Sequence, residues 1–379
     1  MQRIRPLRFA GTRRVVLVYS RVGGGHLSAA QALAEELEAG GEASTKLVDV
    51  YVERGRFPVT LFPGVYARLA RNYPRMWSLV YHASTGLDSK RVLGPFLRRG
   101  VRQLMAEEQP DLVVSVLPGV NGLLAEAARK AGARFEVVLT DWHSVHSWWV
   151  APGVAHYTTP TDSARDDCIR FGAPASAVEV SGIPVRRAFA TPPDRSPARQ
   201  RCLTELGLDP RRFTVLAMVG AEGSPRALGN LARLAQVNRD LQLVVVCGRN
   251  AELRRRVERL RTRMPLLAVG FVVNVAELMR AADVLVTKAG GMTLAEAFAC
   301  AVPTVVHDVL AGQEAGNLEY VVQQAAVEYA PSPDELARLI AELYDDPLRR
   351  TTLARRGARL ARPGAARRIA GELLERLWR

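Results

Sequence analysis

Short apolar runs alternate with helix-like stretches along this chain, and the alternation starts twice. Residues 15–19, 45–49, 112–116, 135–139, 157–159 and 178–181 have the length and the β-branched content of strands. Helical spacing fills 28–38, 94–108, 121–131 and 162–171. Strand then helix, repeated, implies a parallel doubly wound sheet. The stretch RRAFATPPDRSPARQR (186–201), rich in Pro, Arg and Ser, breaks the pattern and reads as a linker. The alternation then resumes, with strands at 214–219, 241–247, 267–269, 284–287 and 304–307. Helices are predicted at 226–236, 251–261, 275–281, 292–300, 317–324 and 333–343, and the chain ends in an arginine-rich helix.

The expected class is therefore α/β, with two Rossmann-like domains facing a cleft. The first spans 1–190, a linker 191–200, the second 201–355, and a helix over 356–379 returns to the first. With 379 residues, each half can bury its own core. A site is expected in the cleft, at the carboxyl ends of the strands.

Charge narrows the partners. Lys and Arg number 52 against 38 Asp and Glu, a formal net charge of +14. That favours an anionic partner. The basic residues concentrate in 54–102, where Arg54, Arg56, Arg68, Arg71, Arg75, Lys90, Arg91, Arg98, Arg99 and Arg102 face one acid, Asp88. Phe57, Phe62, Tyr66, Tyr73, Trp77, Tyr81 and Phe96 are interleaved with them. This mixture suits an anionic bilayer surface better than nucleic acid, for which no module is visible. No apolar run approaches the ~18 residues of a spanning helix, and the basic N-terminus lacks the apolar core of a signal peptide. The expectation is a cytoplasmic protein, peripheral on the inner face of the cell membrane. Its four cysteines form no C-x-x-C pair and are expected to be reduced and buried.

The strongest chemical signal is TKAGGMTLAEA (287–297). A buried strand runs into Gly290-Gly291, and a helix begins near Thr293. Free amides at a helix start, with the helix dipole, favour an anion. Gly290 and Gly291 would let phosphate oxygens approach the backbone, and Thr293 adds a hydroxyl or a cap. The Glu296 carboxylate, almost one turn deeper, can accept two ribose hydroxyls. Gln313 and Glu314, in HDVLAGQEAGN (307–317), are polar groups suited to sugar hydroxyls. No D-x-D occurs anywhere in the chain, so no metal or other cofactor is expected.

TKAGGMTLAEA with AGQEAGN resembles the donor site of inverting GT-B glycosyltransferases, in particular the diacylglycerol galactosyl- and glucosyltransferases of the monogalactosyldiacylglycerol synthase family. The peptidoglycan N-acetylglucosaminyltransferase that makes lipid II is a more distant relation. GGGHLSAAQAL (23–33) resembles the family's glycine-rich acceptor loop, TDWHSVHSWW (140–149) its T-D-x-x-x-H-x-x-W segment, and VSGIPVRRAF (180–189) its turn before the hinge. VGFVVNVAELMRAADVLVTKAGG (269–291) resembles the stretch from uracil to phosphate.

The resemblance implies the roles. Backbone atoms of Phe271 and Val272 would hold uracil. Gly290, Gly291, Met292 and Thr293 would hold the diphosphate, with Gly25 and Gly220 approaching it from two other loops. Glu296 would bind ribose, and Gln313 and Glu314 the hexose. His26 matches the family's base, and Asp141 is the rival for that role. Arg68, Arg71, Tyr73, Trp77, His146 and Trp148 are assigned to the acceptor and the membrane. The chain departs from its relatives at VGAEGSPRALGN (219–230), where they carry G-G-x-G. It departs again at Val273, where they often carry Asp. Each choice has an ordinary counterpart: His26 could orient its loop, Asp141 could hold its own, and Gly290-Gly291 could be mere punctuation. The implied reaction moves a hexose from a UDP-sugar to a lipid hydroxyl, on diacylglycerol first. A polyprenyl-diphosphate-linked sugar is the alternative acceptor. A UDP-sugar epimerase of the same fold is the alternative enzyme.

Overall fold

The structure is a computed structural model that describes residues 12–21, 24–190, 195–219, 226–310, 312 and 314–378. It contains two six-stranded sheets, parallel throughout. In the first, β1 (Arg13–Tyr19), β2 (Ala43–Asp49), β3 (Leu112–Ser115), β4 (Arg134–Val138), β5 (His156–Thr159) and β6 (Val178–Val180) lie in the order β2-β1-β3-β4-β5-β6. In the second, β7 (Phe213–Met218), β8 (Leu241–Val246), β9 (Leu266–Val269), β10 (Val284–Lys288), β11 (Thr304–Asp308) and β12 (Glu328–Tyr329) lie in the order β12-β11-β10-β7-β8-β9. Order reverses between β1 and β3, and between β7 and β10, so each sheet has a crevice beyond its strand ends there. The two-residue β12 is too short to carry a sequence signature.

The strands are legible because helices cover both faces of each sheet. All six residues of β8 are buried, as are the last five of β1. One core fills one face of the first sheet, around Leu97, Leu124 and Tyr157. Another fills the second sheet, around Val245, Val286 and Ile340. A third runs through both domains, from Leu17 and Leu33 to Met292, Phe298 and Ile369. Helix Gly25–Ala39 reaches it through Leu33 and Leu37 and through Ala29, Ala30 and Ala34, whose small side chains allow close approach.

Two organisational readings need revision. The linker is shorter than expected, since helix Arg195–Glu205 occupies 195–200 and packs on helix Val275–Ala281; residues 191–194 lie outside the described residues. Pro197 falls in that helix's first turn, where its missing N–H breaks no helical bond. The boundary at 356 is also early. Helix Pro347–Leu360 packs on helix Gly291–Ala299, with Gly357 against Phe298, and stays with the second domain. Helix Ala365–Trp378 makes the return, lying along Gly25–Ala39. Arg376 pins it to the buried Glu136 at 2.9 Å, and the Arg13 guanidinium sits 4.2 Å from the Trp378 ring centre.

The basic aromatic segment folds into helices Phe62–Asn72 and Pro74–Ser84, followed by Ser89–Glu108, whose start Asp88 caps by accepting from Lys90 N. Among the described residues no helix is long and apolar enough to cross a membrane. All four cysteines are buried, and none forms a disulfide.

Candidate active site

β10 ends at Lys288, and helix Gly291–Ala299 starts three residues on, with Gly290 as its N-cap. The first amides of a helix have no partner within it, and this helix starts beyond the carboxyl end of β10. Lys288 Nζ lies 3.4 Å from Glu314 Oε1, and Leu310 N donates to Glu314 Oε2 at 2.8 Å. A Cβ at Gly290 would be 3.6 Å from that Glu314 oxygen and 3.9 Å from Thr293 Oγ1. Gly290, Thr293, Glu314 and Lys288 therefore share one site. Sequence reasoning passed over Lys288 as a site residue, although it stands directly before the glycine pair. Gly220 and Gln313 lie outside the described residues.

Phe271 and Val272 follow β9, three strand spacings from β10, or about 14 Å. Phe271 is 64% exposed, with the Arg249 guanidinium 5.1 Å from its ring centre. Val272 packs against the shared core.

On the facing side lies a cavity of about 100 Å³. His26, Asp141, Ser20, Ser84 and His146 are in its polar lining; Tyr66, Trp77, Tyr81 and Trp148 are among its aromatic walls. His26 is the second residue of helix Gly25–Ala39, which follows the left-handed Gly24, and its ring meets Trp149 edge-on at 6.4 Å. Burial pushes its imidazole down to about 4, and its Nδ1 is buried without a hydrogen-bond partner. Burial pushes the Asp141 carboxyl up to about 6; the Trp149 indole, donating to Oδ2 at 2.8 Å, opposes the rise, and the charge of Glu314 adds to it.

Two of the residues assigned to the acceptor and the membrane, Trp77 and His146, lie in this cavity rather than on the surface. Trp77 is buried against Tyr66, with ring centres 4.9 Å apart, because helices Phe62–Asn72 and Pro74–Ser84 turn these rings inward. His146 is also buried. Its Nε2 lies 3.0 Å from Ser84 Oγ and 3.2 Å from Tyr81 O, while Nδ1 accepts from Trp148 N. Both belong to the cavity, as does the half-buried Trp148, whose indole donates to Leu87 O. Arg68 and Tyr73 are on the surface; the Arg71 side chain lies outside the described residues.

The donor and acceptor sides touch. A Cβ at Gly291 would overlap the Thr140 carbonyl oxygen, and one at Gly316 the His143 carbonyl. These glycines are required by the approach of the other domain, which revises the reading of Gly291 as a phosphate approach alone. The Trp142 indole donates to Gly291 O at 3.0 Å. Asn317 accepts from Trp142 N at 2.8 Å and donates to Ala289 O at 3.2 Å. Met292 faces Gly25, where a Cβ would sit 3.2 Å from its Cγ. Glu296 is buried and accepts from Ser28 Oγ at 2.7 Å. Asp141, set between Thr140 and Trp142, is thus held against the donor loop. Trp142, Asn317 and Ser28 gave no local sequence signal, because their partners are distant in the chain.

Two facing parallel sheets, with a helix start in one crevice and a polar-floored aromatic cavity in the other, form the GT-B architecture, and the relatives make the chain a glycosyltransferase. Residues 26–185 match the family described as monogalactosyldiacylglycerol (MGDG) synthase, and 213–360 match glycosyl transferases group 1. The chloroplastic monogalactosyldiacylglycerol synthase of Spinacia oleracea is 31% identical over 386 residues, covering 96% of this chain and 72% of the spinach protein. The chain belongs to the monogalactosyldiacylglycerol synthase family. A processive diacylglycerol beta-glucosyltransferase of Bacillus licheniformis is 26% identical, over 88% of this chain and 87% of its own. Among solved structures, MurG of Acinetobacter baumannii superposes with TM-score 0.63 at 14% identity, covering 96% of this chain and 99% of its own. HepE of Anabaena in complex with UDP-glucose gives 0.60 at 16% over 96% and 100%. A putative UDP-N-acetylglucosamine 2-epimerase of Listeria monocytogenes gives 0.63 at 13% over 97% of each. At these identities the likeness concerns the fold alone, which transferases and an epimerase share.

Proposed function

We propose that this glycosyltransferase moves a hexose from a UDP-sugar to the free hydroxyl of 1,2-diacylglycerol, with inversion. The observation that carries the reading is the contact between the two sides of the site: the loop bearing Asp141 packs on Gly291, where the donor helix starts. The relatives' names supply the acceptor, since one is a monogalactosyldiacylglycerol synthase and the other a diacylglycerol glucosyltransferase. The UDP-glucose held by HepE, on the same fold, supports the donor. Family membership and the aromatic cavity disfavour the epimerase and polyprenyl-acceptor readings.

In the reaction the acceptor oxygen attacks the anomeric carbon from the cavity side. The bond from that carbon to the diphosphate oxygen breaks, and UDP leaves. One displacement turns a UDP-α-sugar into a β-glycoside. The acceptor proton goes to Asp141, whose carboxyl lies nearer the working pH than the His26 imidazole. Neutral His26, with its unpartnered Nδ1, orients the acceptor hydroxyl. The amides at Gly291–Thr293 and the Lys288 ammonium receive the charge developing on the diphosphate, without a metal.

The acceptor is reached in the membrane plane. Phe57 (77% exposed), Leu61, Val65, Met76 and Leu79 (71% exposed) lie on the helices and loop around the cavity, beside the exposed Arg68 and Arg75. Each cation near an anionic surface contributes about 1 kcal/mol. Phe57→Glu with Leu79→Glu is expected to lower flotation with anionic liposomes at least tenfold and to leave UDP affinity unchanged. Equal flotation of the double variant would place the membrane contact elsewhere. The function itself is tested by incubating the protein with diacylglycerol in anionic liposomes and UDP-galactose, UDP-glucose or UDP-N-acetylglucosamine, with EDTA present. A β-glycosyldiacylglycerol and free UDP are the expected products. UDP without glycolipid would overturn the acceptor, and activity lost to EDTA the metal-free step.

A further inference from the structure

Ser28 lies in the first turns of helix Gly25–Ala39, at the end that carries His26. Its Oγ donates to Glu296 Oε1 at 2.7 Å, joining residues 268 positions apart and belonging to different domains. Glu296 is buried, 7% exposed, and lies inside helix Gly291–Ala299. The cation that acts on it is Arg186, just before helix Arg187–Ala190; the Arg186 Nε is itself buried without a partner. From helix Gly25–Ala39 the nearest titratable neighbour of Ser28 in sequence is His26, neutral at pH 7. Helix Pro347–Leu360 meets the Glu296 helix through Gly357 and Phe298, both uncharged.

A carboxylate accepts in about four directions, and one hydroxyl donor uses one of them. Bonding by Ser28 therefore leaves Oε2 and part of Oε1 for ribose hydroxyls. A protonated carboxyl is a poorer partner, since one oxygen then carries a hydrogen. Burial pushes Glu296 up to about 7, while the Ser28 hydroxyl and Arg186 both favour its ionised form.

We propose that Ser28 is a positioning residue for donor binding: by donating to Glu296 it keeps that carboxylate ionised and aimed, so the acceptor domain sets the donor domain's affinity for UDP. The inference rests on the reading of Glu296 as the ribose ligand. It makes donor affinity depend on the two domains being in contact.

The experiment measures UDP affinity by calorimetry at pH 7 and pH 8.5 for the full chain and for Ser28→Ala, Ser28→Thr and Glu296→Ala. Losing one hydrogen bond to a charged group raises a carboxyl by roughly one unit. From about 7, the ionised fraction at pH 7 falls from about one half to about one tenth. Ser28→Ala is thus expected to bind UDP about fivefold more weakly at pH 7 and within about twofold of the parent at pH 8.5. Ser28→Thr, which keeps the hydroxyl, is expected to restore the parent values. Equal weakening of Ser28→Ala at both pH values would mark a merely structural residue and overturn the proposal. So would unchanged or tighter binding, provided Glu296→Ala weakens UDP. Unchanged binding in Glu296→Ala would instead remove the ribose reading, and Ser28's role with it.

Discussion

In a pH profile taken at saturating UDP-sugar, kcat is expected to be level near pH 7 and to fall about tenfold per unit below pH 6, the fall disappearing in Asp141→Asn. The sign follows from the role. A general base works unprotonated, so activity is present above its pKa and lost as pH drops through it. Burial and the charge of Glu314 hold the Asp141 carboxyl at about 6, against the opposing indole of Trp149. The His26 imidazole is held near 4 by burial, so a profile falling only near 4 would transfer the proton to His26. Asp141→Asn keeps the bond to the Trp149 indole through its amide oxygen. Its turnover should drop by roughly 10²–10⁴, the usual share of a positioned base, with UDP affinity intact. Trp149→Phe separates the two influences on this carboxyl. Without the indole donor the fall should move upward from pH 6, because the interaction lost is the one that favours the charged form.

Much of this site is legible in the sequence, for a physical reason. Strands covered on both faces must be apolar throughout, so β1 and β8 announce themselves without a partner in view. The donor turn is equally local: β10, Gly290-Gly291 and the helix behind them are contiguous. Helices Phe62–Asn72 and Pro74–Ser84 are harder to read. Each presents apolar side chains on two faces, with Tyr66 and Trp77 turned inward and Val65 and Leu79 outward. The mixture of basic and aromatic residues there points to a membrane, and only the packing partners show which rings turn inward. What no local pattern could supply is the pairing of distant segments. Ser28 reads as one more small residue in an alanine-rich helix until Glu296 is placed beside it. Trp142 reads as a spacer in its motif until Gly291 and Asn317 meet it.

Gly291 is where the two kinds of reading make different predictions. Gly291→Ala should lower kcat about a hundredfold or more and leave UDP affinity nearly unchanged. The helix itself gains, since alanine suits a helix better than glycine by ~1 kcal/mol. The obstacle is the Thr140 carbonyl of the other domain, which a Cβ at 291 would overlap. That oxygen is backbone, fixed in the loop that Trp142 ties to Gly291 and to Asn317. It cannot swing away as a side chain can, so the loop bearing Asp141 must retreat, by on the order of 1 Å. A misplacement of that size can cost about 10² in rate. The donor half keeps its own contacts, with Lys288, Glu314 and Gly290 all on the second domain. Had position 291 been glycine only to admit phosphate oxygens, alanine would instead weaken UDP binding and reduce kcat little. Calorimetry with UDP and a turnover assay on one variant therefore decide between a phosphate cradle and a hinge of contact between the domains. The second result would mean that this turn sets the distance across which the sugar is passed.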